Sequence, residues 1–178
     1  MIDEVILEEE EIAEERFREV DPLVARIVGE PIRALSGLRP PISLPPGATA
    51  REAIDVMNDE GVGCILVVEG GRLVGVFTER DVLTRVAGRI ADLETVRLDS
   101  LMTPDPECLT LDDDIAYALN RMAVGGFRHV PLVDADGAPT GVVAMRHVVE
   151  HLVDIFPREV LNLPPTPTHG ITRAREGA

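Results

Sequence analysis

The chain has 178 residues, 45% of them hydrophobic and 3% aromatic, and a formal charge of −15 from 32 acids against 17 bases. That balance excludes general attraction to nucleic acid or an anionic membrane surface, and the scarcity of aromatics removes the stacking platforms of single-stranded nucleic-acid binders. All of these bases are arginine; without lysine, Schiff-base and P-loop chemistry are excluded, and a bound anion must be met by Arg, His, backbone amides or a helix N-terminus.

Residues 1–28 open with "MIDEVILEEEEIAEERFREV". Ile6, Ala13, Phe17 and Val20 fall near one stripe and predict an acidic N-terminal helix. Two uses stand for it: packing on its own module or a dimer mate, or docking a partner protein. An acidic start is the opposite of a secretory leader, and no apolar run approaches the roughly 20 residues of a membrane span. A cytoplasmic protein without membrane or nucleic-acid partners is the expectation.

Residues 29–96 form a first unit. A short extended piece, "PPISLPP" (40–46), precedes a helix with Thr49 as candidate cap and Ala53, Ile54 and Met57 at helical spacing. The strand "CILVV" follows, then a Gly-Gly turn and a second strand, which is a strong hairpin signal. A helix over 79–89 closes the unit. Residues 97–156 repeat this order: an extended "PDPECLTL" (104–111), a helix with Asp112 as candidate cap and Ile115, Leu119 and Met122 inward, the strand "HVPLV", an Asp-Gly turn, a strand, and a helix over 146–155. Residues 157–178 are proline-rich, carry one P-x-x-P, and predict an extended or disordered tail. Cys64 and Cys108 lie in apolar stretches without a neighbouring partner and read as two core thiols.

The repetition is explicit when 53–83 is set against 118–149. Met57 matches Met122 and Gly61 matches Gly126 at one offset; Gly75 matches Gly141 at an offset one residue longer. The insertion falls in the turn, where "EGG" becomes "DADG", and a duplicated fold tolerates it there. One such unit leaves a face of its small sheet uncovered, so two are expected to share a core.

The stretches "GVGCILVVEGGRLVGVFTERDVL", "LMTPDP" (101–106) and "GGFRHVPLVDADGAPTGVV" resemble the tandem cystathionine-β-synthase (CBS) domain pair, or Bateman module, over about residues 30 to 156. The resemblance implies an α/β (α+β) fold of two pseudo-twofold βαββα units packed sheet to sheet, commonly dimerised into a four-domain disk. It further implies an adenine ligand (AMP, ADP or ATP, with S-adenosylmethionine or NAD ranked behind) in a cleft between the units.

In "GVFTERDVL", Thr78 and Asp81 fill the family's ribose- and phosphate-facing positions, with Arg80 between them. An ionised carboxylate offers two acceptor oxygens to the two donors of a cis-diol. The same residues also read as an N-cap and a favourable first-turn acid, and both readings stand here. Arg128 and His129, directly before their strand, are the phosphate-gripping pair that the resemblance implies from the other unit. Ile42, Ser43 and Cys64 lie where the family lines its adenine pocket; as bare residues they are strand core. The mirror cleft carries Ala144 and His147 in place of the hydroxyl and carboxylate, so one nucleotide per chain is expected. Arg85 and Arg146 either extend the phosphate clamp or form surface ion pairs. His147 and His151 share a helical face, but without a metalloprotease motif they read as a solvated or interfacial pair, and no metal is assigned. The functional expectation is a stand-alone, non-catalytic regulatory protein that senses an adenine nucleotide; the alternative is an adaptor module for an unidentified protein, with its nucleotide site vestigial.

Overall fold

A computed structural model describes residues 29–155; the N-terminal helix and the proline-rich tail expected from the sequence lie outside the described residues. The first unit runs β1 (Ser43–Leu44), α1 (Ala50–Glu60), β2 (Cys64–Glu69), β3 (Arg72–Thr78) and the short helix α2 (Glu79–Asp81). The second runs β4 (Thr103–Pro104), α3 (Ile115–Gly125), β5 (His129–Val133), β6 (Pro139–Ala144) and α4 (Met145–Ile155).

Local chemistry explains the boundaries. Thr49 begins α1 with a capping box: its hydroxyl accepts from the Glu52 amide at 3.2 Å, and the Glu52 carboxylate accepts from the Thr49 amide at 2.7 Å. Gly61, at φ 64°, ends it in the left-handed conformation that favours glycine. α2 continues over Val82–Val86 as a wider π-helical turn, closed by the Ala87 amide on the Val82 carbonyl at 2.8 Å. The helix expected over 79–89 is therefore shorter and wound differently. The second unit is not capped by Asp112 as expected; Asp114 occupies the N-cap of α3 without a side-chain bond, and Asp112 pairs with Arg33.

The first sheet has the order β1-β2-β3-β4, with β1 parallel to β2 and the remaining pairs antiparallel. β4 belongs to the second unit in sequence, yet it pairs with β3 through Gly75–Pro104 and Val76–Thr103. The second sheet is the β5-β6 hairpin, joined by one parallel bridge from Leu109 to Leu132. The leading strand of the second unit is thus reduced to a single bridge. This frees Cys108, expected in the core, to face solvent, where its thiol donates to the Pro106 carbonyl at 3.1 Å. Leu109, its neighbour, takes the inward position.

Two apolar cores result. Ile65, Val67 and Phe77 pack against Ala53 and Met57 in the first, and Val130, Leu132 and Val143 against Ala118 and Met122 in the second. Leu66 and Pro131 project to the opposite faces of β2 and β5 and are buried there as well. The sheets thus cover each other, and the Leu73 amide donates to the Gly137 carbonyl at 3.1 Å across the two hairpins. The second core also holds Ile32 and Leu35, which open the first unit in sequence. Each unit therefore lends a segment to the other.

Candidate functional site

Between the units lies a cavity of about 310 Å³, within the range that small-molecule sites occupy. The chain enters it four times where a strand begins or ends. Arg39 to Ile42 lead into β1, Gly61 to Cys64 join α1 to β2, Arg128 and His129 open β5, and Ala144 to His147 turn from β6 into α4. Glu79, at the start of α2, is a further lining residue. The Glu79 amide donates to the Gly63 carbonyl at 3.1 Å, and in the other unit the Met145 amide donates to the Arg128 carbonyl at 3.0 Å. The repeat thus places Gly63 opposite Arg128, and Cys64 opposite His129.

Of the residues expected from the sequence, the fold brings Ile42, Cys64, Arg128 and His129 together around this cavity. Thr78, Arg80, Asp81 and Ser43 are not part of its lining. Asp81 is 7% exposed, and both of its oxygens have partners within the chain. One accepts from the Thr78 amide at 2.9 Å and the Thr78 hydroxyl at 2.6 Å; the other faces the Arg85 Nε at 3.2 Å. Arg85 in turn donates to the carbonyls of Leu101 and Met102 and to the Thr103 hydroxyl. Met102 packs over Gly75, and a side chain there would require the methionine to move aside. Arg80 reaches across the unit boundary to donate to the Gly126 carbonyl at 2.7 Å. Ser43 is exposed on β1, in register with Leu66.

The cavity opens instead toward the cleft that the sequence comparison of the repeats set aside. His147 takes the place of the carboxylate there, and its Nδ1 accepts from the Ala144 amide at 3.1 Å. This is the bond that Asp81 makes to Thr78, kept with an uncharged acceptor. His147 is 5% exposed, and burial with Arg146 and Arg39 nearby lowers its pKa from the ordinary 6.5, while Glu150 opposes that fall. Burial also lowers that of His129, with Arg146, His147 and Arg128 adding to the effect against an opposing Glu79. Cys64 is pushed up to about 12 by burial, with the Asp81 charge contributing; it lines the cavity as a small apolar group. His151 leaves the site altogether, its Nε2 lying 3.0 Å from the Glu30 carboxylate. Arg39 joins the lining without a signal in the sequence, where it stands alone before two prolines with no motif around it.

Comparisons with known proteins bear on this arrangement. The family model for the CBS domain matches residues 34–88 and 98–154. An uncharacterized 17.7 kDa protein of Acidianus ambivalens is 32% identical over 111 residues, 62% of this chain and 66% of that one. The CBS domain-containing protein CBSCBSPB3 of Arabidopsis thaliana is 30% identical over 99 residues, 56% of this chain and 18% of that one. The match spans just under two thirds of the first relative and under a fifth of the second. Among solved structures, the CBS domain protein PAE2072 from Pyrobaculum aerophilum, complexed with AMP, aligns with a TM-score of 0.61 and 28% identity, covering 70% of this chain and 99% of that one.

Proposed function

Because the chain belongs to the CBS-domain family, we propose that it is a regulatory CBS pair whose inter-unit cavity binds an adenine nucleotide of the AMP, ADP or ATP class. The observation that carries this reading is the cavity itself. Ile42 and Cys64 supply apolar wall for a base, and Arg128 and His129 supply donors for phosphate. The AMP complex of the Pyrobaculum protein supports the ligand class. In this reading Thr78 and Asp81 cap α2, Arg80 ties the units together, and Ser43 serves the sheet edge. Occupancy is transmitted by a change of shape rather than by chemistry on the ligand. The acting form is a homodimer, for which exposed apolar side chains such as Leu83, Val124 and Val149 offer contact surface. The free thiols Cys64 and Cys108 suit a cytoplasmic setting.

A thermal-shift panel of AMP, ADP, ATP, S-adenosylmethionine and NAD tests the proposal. A ligand at about 100 times its Kd stabilises the fold by roughly 2.7 kcal/mol, so at least one of the three nucleotides raises the melting temperature by several degrees. In sedimentation equilibrium the same sample weighs twice one chain. No shift with any of the five ligands overturns the sensor reading and leaves the adaptor reading in its place.

A further inference from the structure

We infer, resting on the adenine-nucleotide reading above, that the cavity recognises its ligand through the phosphate and not through the ribose diol. It therefore accepts a 2′-deoxyadenylate as readily as the ribonucleotide, while rejecting uncharged or sulfonium adenosine compounds. Three arginines from separate elements line the cavity: Arg39, Arg128 and Arg146. Elsewhere, Arg33, Arg51, Arg85 and Arg121 each pair with a carboxylate, Arg80 and Arg97 donate to backbone carbonyls, and Arg72 and Arg89 stand singly, outside the lining of this cavity. Among the described residues none of the three cavity arginines pairs with a carboxylate, and Arg146 meets only the His147 ring, at 3.4 Å. In a chain of charge −15, unpaired guanidinium groups gathered at one cavity form a site for an anion.

The diol side of the argument is equally specific. Gripping a cis-diol takes two well-placed acceptors, which a carboxylate supplies. At the place where the first unit carries Asp81, the cavity carries His147, whose Nδ1 already accepts from the Ala144 amide. A neutral ring then carries its proton on Nε2, so the Arg146 Nε at 3.4 Å is a neighbour and not a donor to it, and His147 has no acceptor left for a hydroxyl. Glu79 is the carboxylate in the lining, and it lies over Gly63 beside His129, whose proton affinity it raises. Its charge opposes an incoming phosphate and favours a cation, so it sets how strongly the arginines must outweigh it.

Isothermal titration of the full chain with AMP, dAMP, adenosine and ribose 5-phosphate tests this, using wild type and the Arg39→Gln, Arg146→Gln and Glu79→Gln variants. Expected are equal affinities for AMP and dAMP within about threefold, and adenosine weaker by about tenfold or more. Arg39→Gln and Arg146→Gln each weaken AMP by about tenfold but leave adenosine unmoved, and Glu79→Gln tightens AMP and dAMP alike. The inference is overturned if dAMP binds about tenfold more weakly than AMP, if adenosine equals AMP, or if Glu79→Gln weakens AMP while sparing dAMP. Adenosine binding as well as AMP sinks phosphate recognition and leaves the adenine reading standing. Ribose 5-phosphate binding as well as AMP does the reverse. Binding of none of the four overturns both.

Discussion

Asp81 shows how one side chain carries two meanings. Its sequence position next to Thr78 suits a ligand, and its hydrogen bonds serve the helix start and Arg85. If the bonds define its role, Asp81→Ala lowers unfolding free energy by about 2–3 kcal/mol, from the lost cap and the lost charge-assisted contacts. It then leaves nucleotide affinity within about threefold of wild type. Denaturant titration paired with calorimetry checks both halves, and a large loss of affinity returns the ribose role to this carboxylate. His147 is the complementary case: the repeat keeps the bond to the preceding strand end and discards the negative charge. A repeat comparison sees the substitution but not the conserved bond, so it reads as a lost site what the fold uses as a cavity wall.

Among the elements, the second unit's leading segment, expected as an extended piece like that of the first, is divided between the two sheets. "PECLTL" has strand composition, but only Leu109 bridges to β5, while Thr103 and Pro104 join the other unit's sheet. The equivalent exchange at the front of the chain puts Ile32, fully buried, into the second core beside Ile115 and Val130. Ile32→Ala is therefore expected to destabilise the chain by about 2–5 kcal/mol, the range for a large-to-small core substitution. A single cooperative transition for both units in urea, shifted as one, is the expected result. Two separate transitions, with only that of the first unit moved, mean that Ile32 packs within its own unit.

At the scale of the whole molecule, charge and cavity act against each other. His129 and His147 are held neutral by burial and by the arginines around them, against Glu79 and Glu150. Their folded pKa values lie below the ordinary 6.5, so on acidification the unfolded chain takes up protons that the fold refuses. Their linkage contribution is thus steady above about pH 6.5 and turns destabilising as pH falls below it. A phosphate in the cavity reverses the sign for His129, because it stabilises the imidazolium beside it. Lowering the pH from about 8 to about 6 thus weakens the empty fold in denaturant yet tightens AMP in calorimetry. His129→Gln loses most of the second effect; unchanged pH dependence in that variant places the proton elsewhere.

By itself the sequence determined the duplication, the hairpins and the helices α1, α3 and α4, because glycine turns and apolar spacing are local and survive in any context. It also determined the family and four members of the cavity wall: Ile42, Cys64, Arg128 and His129. Tertiary structure alone set Asp81 apart from the cavity, since its oxygens are taken by Thr78 and by Arg85, which in turn holds the carbonyls of Leu101 and Met102. It alone brought Arg39 and Arg146 to the same cavity, and Ile32 to the far core. These are contacts between segments distant in the chain, set by how two sheets pack, and no local pattern of residues encodes them.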